Sequence, residues 1–307
     1  MTVGAEDVRR ALDRIRSRVR RTPVIEIVVD RRRLTLKLEL LQHTGSFKPR
    51  GAFNRVLGAG AIRDSGIIAA SGGNHALAVA HVASELGVAA EVFVPEVSPR
   101  VKVDAITALG ATVRVGGALY HDALLASQER ARGTGALQIH AYDHPLTVAG
   151  QGTMAVEISE QVPEASEVLI AVGGGGLISG AVAWFSDDVE VLAVEPEGSP
   201  AYNRALAAGE PVDVEIDSVA SDSLGARSIG AVPWSVLVQR PPTSLLVSDD
   251  AIRSAQRWLW RHLKLVVEPG GAAAFAAVLD GVHLPAEDGS TVVVVCGANT
   301  DPASVIA

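Results

Sequence analysis

The chain has 307 residues, 48% of them apolar and 20% charged, a balance that supports a sizeable buried core and excludes wholesale disorder. A formal net charge of −8 argues against non-specific nucleic-acid binding, and the single cysteine, Cys296, excludes an internal disulfide and a cysteine-built zinc cluster. Aromatic residues make up only 4%, so Ala, Val, Leu and Ile must fill the core, and no apolar run approaches the ~20 residues of a spanning helix.

In chain order, Val8, Leu12, Ile15 and Val19 fall on one helical stripe, with no apolar signal-peptide centre, which predicts a soluble cytoplasmic protein. VIEIVV (24–29) and LTLKLEL (34–40) read as strands. GIIAA (66–70) predicts a strand that runs through a Gly-Gly loop into the helix NHALAVAHVASELG (74–87). AEVFVP (90–95) precedes a helix from Pro99 to Leu109, and ATVRV (111–115) precedes another from Tyr120 to Ala131. EVLIAV (167–172) leads through four glycines into LISGAVAWF, and the strand VEVLAVE (189–195) follows. Residues 247–263 read as a helix with Ser248 as N-cap and an acidic first turn, and TVVVVC (291–296) is a continuous β-branched run. Short apolar strands alternating with helices predict an α/β fold of mostly parallel sheets flanked by helices on both faces. The stretch from Asp64 to Tyr142 carries its own strand–helix units. It reads as a small domain, residues 63–145, inserted into a large one formed by 1–62 and 146–307.

Four segments carry residues suited to chemistry. In HTGSFKPRGA (43–52), Lys48 lies between Phe47 and Pro49 at a helix start, in a chain with only four lysines. An isolated lysine is ordinarily a surface residue, but a helix N-terminus repels its charge, and a lysine amine beside apolar groups becomes a nucleophile toward carbonyls. In ASGGNHALAVA (70–80), Gly72 and Gly73 at a strand-to-helix junction would present backbone N–H groups to an anion. Asn74 there serves equally well as an N-cap, and His75 as a first-turn residue without chemistry. In VGGGGLISG (172–180), Gly173, Gly174, Gly175 and Gly176 put bare amides at a helix start, which suits a phosphate. Their spacing fits neither the dinucleotide fingerprint nor the nucleoside-triphosphate loop. In VVVVCGANTDP (292–302), Cys296 ends a strand, as a small buried hydrophobe or as part of a strand-end site.

These motifs, in this order and over about Leu12 to Pro302, resemble the fold type II pyridoxal-phosphate enzymes of the serine/threonine dehydratase and serine racemase group. The resemblance implies a tryptophan synthase β-like fold of two lobes. It makes Lys48 the Schiff-base lysine and the base at the substrate α-carbon, with Phe47 beside the cofactor ring. Ser71, Gly72, Gly73, Asn74 and His75 would hold the substrate carboxylate, with Asn74 also approaching the cofactor's 3′-oxygen. Gly173 to Gly176 with Leu177 would cup the phosphate, and Cys296 would face the pyridine nitrogen, while Glu268 of VEPGGAAA resembles a family segment near the site. Glu195 matches the first ligand of a cation site in the group, but Ser199 and Ala201 depart from it, leaving a monovalent or divalent cation as a weak expectation. Where serine racemases of the group carry a second base, this chain has Gly72, which favours elimination. The implied activity is L-threonine/L-serine ammonia-lyase, giving 2-oxobutanoate or pyruvate and ammonia from a homodimer with a small amino-acid substrate. The alternatives are elimination or replacement on another 3-substituted amino acid, serine racemisation, or cofactor binding without turnover.

Overall fold

A computed structural model describes residues 2–306 apart from 99, 119, 288 and 289; Pro99, expected to open a helix, lies outside the described residues. Helix α1 (Ala5–Ile15) starts where the Gly4 N–H donates to the Asp7 carboxylate at 3.0 Å, and it buries Val8, Ala11 and Ile15. Val19 falls beyond its end. A hairpin through Asp30 and Arg31, both with positive φ, joins strand β1 (Val24–Val29) to antiparallel β2 (Arg32–Lys37). The expected strand over 34–40 stops at Lys37, because the backbone then turns to bring Glu39 inward.

Helix α2 (Lys48–Leu57) leads to β3 (Ile67–Ala70), α3 (Asn74–Leu86), β4 (Ala90–Val94), α4 (Arg100–Ala108), β5 (Thr112–Val115), α5 (Tyr120–Thr134) and β6 (Leu137–Gln138). The chain continues through α6 (Pro145–Gln161), β7 (Glu167–Ala171), α7 (Gly176–Trp184), β8 (Glu190–Pro196), α8 (Ala201–Ala208), α9 (Ser221–Leu224) and α10 (Ala231–Leu237). It closes with β9 (Thr243–Val247), α11 (Asp249–Leu263), α12 (Pro269–Leu279), β10 (Thr291–Val294) and α13 (Pro302–Ile306). Ser248 caps α11 as its sequence predicts, accepting from the Ala251 N–H at 3.1 Å.

The strands form two sheets. One has the order β1-β2-β10-β7-β8-β9 and is parallel except for the hairpin; the other has the order β5-β4-β3-β6 and is parallel throughout. Central strands such as β3 and β10 are buried along their whole length, which explains their unbroken apolar runs. Each sheet has its own core, and the core of the four-stranded sheet also takes Ile15, Ala52, Phe53 and Val56 from α1 and α2. Among the described residues no helix is long and apolar enough to cross a membrane.

Behind the start of α2 lies a dry ion network. The Arg50 guanidinium makes a two-pronged pair with Glu39, at 2.8 and 2.7 Å, and a second with Glu157, at 2.7 and 2.9 Å. Lys37 Nζ donates to Glu157 Oε2 at 2.6 Å, to the Thr22 carbonyl at 2.8 Å and to Gln161 Oε1 at 2.7 Å. All four charged side chains are buried, two of each sign, so the desolvated charges balance. Removing one partner would strand the others without water. Arg50→Ala is therefore expected to lower unfolding free energy by about 3–5 kcal/mol in chemical denaturation, well above the cost of a surface ion pair such as Arg21–Glu160.

Candidate active site

The C-terminal ends of the parallel strands in both sheets converge, and there the chemical residues meet. Lys48 is the first residue of α2, with Pro49 fixing the first turn. The segment before it is tied to the end of β10: Ser46 bridges Gly297, and the Phe47 N–H donates to the Cys296 carbonyl at 3.2 Å. Lys48 Nζ donates to the Ala141 carbonyl at 3.1 Å and sits 4.9 Å from the centroid of the Phe47 ring. Burial pushes its ammonium down to about 8, against the opposing pull of Cys296 and Glu268.

The glycine loop leaves β7 and enters α7, whose first-turn N–H groups have no acceptor within the helix. Gly175, the N-cap, has φ +88°, a conformation that side chains resist. Gly174 lies flat under the Tyr142 ring, and a Cβ there would come within 2.5 Å of three ring atoms. The glycines thus form a cradle that larger residues would fill. Lys48, Phe47, Asn74, the four glycines, Leu177, Glu268 and Cys296 line one cavity. Cys296 is 4% exposed, its thiol donates to the Gly270 carbonyl at 3.6 Å, and burial pushes it up, so it stays neutral.

The SGGNH segment departs from its simplest reading. Gly73, not Asn74, is the N-cap of α3, and the Gly73 N–H donates to Ser71 Oγ at 3.1 Å. Asn74 stands one residue inside the helix and spends its side chain on Glu268 and Asn299, at 2.6 and 2.7 Å. His75 turns away, Nε2 lying 2.9 Å from the Ile139 carbonyl, and burial, with Lys48 adding repulsion, pushes it down to about 3. Asn74 is the member of this segment in the cavity wall, while Ser71, Gly72 and Gly73 are half-buried and His75 is buried. A Cβ at Gly72 would meet Ser98 Oγ at 2.6 Å.

Glu195 has a structural occupation. Its two oxygens accept from the Tyr202 and Asn203 N–H groups at 2.7 and 2.8 Å, holding the start of α8, and burial pushes its carboxyl up to about 7. Ser199 donates to the Leu224 carbonyl instead of facing an ion. Among the described residues no group of three or more His, Cys, Asp or Glu side chains suits a metal.

Tyr142, Ser223 and Leu224 line the cavity without any sequence signal that singled them out. Tyr142 comes from an irregular segment and Ser223 and Leu224 from the one-turn helix α9, and only the folded chain brings them to the glycine loop.

A lysine amine of lowered basicity, a helix-start cradle of glycines and a neutral thiol at a strand end suit a phosphorylated aldehyde cofactor. Comparison with known proteins agrees. Residues 15–297 match the family described as "Pyridoxal-phosphate dependent enzyme". The L-threonine ammonia-lyase of Geobacter sulfurreducens is 35% identical over 304 residues, covering 96% of this chain and 75% of that protein. Among solved structures, maize serine racemase superposes with a TM-score of 0.91 at 32% identity, covering 98% of this chain and 95% of that one. A threonine deaminase from T.th. superposes with a TM-score of 0.89 at 36% identity, covering 97% and 99%. Fold, cavity chemistry and sequence agree, and the chain belongs to the family of pyridoxal-phosphate dependent enzymes.

Proposed function

We propose that the chain is an L-threonine/L-serine ammonia-lyase, acting by α,β-elimination to give 2-oxobutanoate or pyruvate and ammonia. The similarity to a threonine ammonia-lyase and a threonine deaminase supports the substrate class. The observation that carries the reaction type is a single base: Lys48 is the one basic side chain in the cavity wall among the described residues. His75 is held neutral and turned toward Ile139. Lys48 on one face removes the α-proton, and Gly72 stands where serine racemases of the group carry a second base, which favours loss of the β-hydroxyl over inversion.

In this reading Lys48 anchors the cofactor and then takes the α-proton with its freed amine. Bound pyridoxal phosphate supplies the electron sink that makes this proton removable. The amides around Gly173–Gly176 and Leu177 hold the phosphate, and Asn74 and the residues around it orient the substrate carboxylate. Cys296 would face the cofactor ring as a neutral thiol and so would supply no counter-charge to it. The likeness to maize serine racemase sustains racemisation as the second reading, and chiral analysis of recovered serine separates the two.

Three outcomes are expected. Lys48→Ala abolishes the visible band of the reconstituted protein and lowers oxo-acid formation by more than the ~10²–10⁴-fold of a lone acid–base group, because the anchor is lost too. Wild-type turnover in that variant would refute the assignment. In the cofactor-free chain, Lys48→Met is stabilising at pH 7. The ammonium's folded value of about 8 lies below its ordinary 10.5, so the stability it withholds returns only as pH rises through that interval. The gain, about 3 kcal/mol at pH 7, shrinks above pH 8 and is nearly gone by 10.5, as thermal melts across pH would register. Finally, Gly72→Ser combined with Ser98→Ala, which clears the hydroxyl from the new side chain's path, introduces D-serine formation. Elimination alone in the double variant would mean that position 72 does not govern the outcome.

A further inference from the structure

Glu268 and Asn299 have no part in the reaction as derived, yet both grip Asn74. Glu268 is 2% exposed, and its Oε1 accepts from Asn74 Nδ2 at 2.6 Å. Asn299 Nδ2 donates to Asn74 Oδ1 at 2.7 Å and to the Thr44 carbonyl at 2.7 Å. A side-chain amide presents oxygen or nitrogen depending on which way it is turned, and here the direction can be read from one end. The Thr44 carbonyl only accepts, so Asn299 must turn its NH₂ toward it. The same NH₂ then obliges Asn74 to offer its oxygen, and the Asn74 nitrogen is left facing Glu268.

The backbone is shaped to admit this chain. Thr44 holds a φ of +61° and Gly45 one of +73°, and a Cβ at Gly45 would come within 2.9 Å of Asn299 Oδ1. A Cβ at Gly297 would run into Glu268 Oε1, so this position must be glycine for the carboxylate to reach Asn74. Three segments far apart in sequence therefore fix the orientation of one amide.

We infer that Glu268 and Asn299 are positioning residues that hold the Asn74 amide so that its second N–H, not its oxygen, faces the cofactor's ring oxygen. This rests on the proposed cofactor site at Lys48 and the glycine loop. The amide then acts as a donor to an oxygen that carries negative charge when the ring is conjugated to the lysine nitrogen. Turned over, it would set oxygen against oxygen.

Glu268 also gives the grip a pH response. Burial pushes its carboxyl up to about 7; Asn74 on α3 and the cations Lys102 on α4 and Lys48 on α2 pull it down, while Asp222 on α9 pushes it up. The neutral Cys296 thiol after β10 lies in the same wall. Above that value the carboxylate is a strong acceptor for Asn74, and below it the grip weakens.

The test is a titration of the purified chain with pyridoxal phosphate, reading dissociation constant and visible absorption from pH 6 to 9, alongside melting curves. Asn299→Asp cannot donate to Thr44 and Asn74 as a carboxylate, so it is expected to weaken cofactor affinity at least tenfold and to shift the visible band. Asn299→Ala, which needs no ionisation, serves if the first variant does not fold, and is expected to give a smaller loss of the same kind. Glu268→Ala loses affinity likewise, and Glu268→Gln, which keeps an acceptor, restores part of it with a band that no longer changes between pH 6 and 8. A lowered melting temperature in the Asn299 variants and Glu268→Ala, with wild-type affinity and spectrum at every pH, would reduce the chain of contacts to packing and overturn the inference. A wild-type protein that takes up no cofactor would instead remove the cofactor site on which it rests.

Discussion

The guanidinium of Arg50 is the fixed point of this molecule. Two residues beyond Lys48 on the first turn of α2, it is clamped by Glu39 from the turn after β2 and by Glu157 from α6, with Lys37 balancing the charge. Such a group of buried ions contributes little net stability compared with an apolar core of equal volume. Its value is directional. Bidentate pairs tolerate small angular error, so the helix that carries the lysine has one placement relative to the six-stranded sheet. The Lys48 amine can then sit in a place that lowers its basicity without the helix shifting to relieve it.

That discomfort is what the site uses. Burial lowers the basicity of Lys48, raises the carboxyl of Glu268 and keeps Cys296 neutral, so a single physical cause tunes three groups around one cavity. His75, beside them in sequence, is tuned out of use by the same burial. Desolvation is supplied by packing from both sheets, which is why the site lies where their strand ends meet.

Much of this was legible in the residues. The alternation of apolar strands and helices pointed to the parallel sheets, because strands buried on both faces leave unbroken runs such as TVVV. Lys48, the glycine loop and Cys296 stood out because scarce or special residue types fall at element junctions. Helix α6 went unread since its buried faces lie all round and leave no stripe. The two-residue β6 carries too little pattern to see. Asn74 read equally well as an N-cap, and only the long-range partners Glu268 and Asn299 decide against it. Tyr142 was invisible for a related reason: its importance is a ring lying on Gly174, a contact with no local signature. Glu195 matched a motif, yet the motif does not reveal that backbone N–H groups already occupy both oxygens.

The strand order of the larger sheet has a consequence for how the chain is made. Strand β10, last of the strands in sequence, lies between β2 and β7. Without β10 the six-stranded sheet falls into two unjoined parts, with unpaired edges at β2 and β7, while the β3–β6 unit has all its strands. A chain that has not yet placed β10 carries both edges, and such edges invite pairing with other chains. Insertion of β10 closes the gap and delivers Cys296, Gly297 and Asn299 in the same movement. The strand that covers these edges is thus the same one that completes the cavity wall, so a molecule with the cavity complete has its sheet closed.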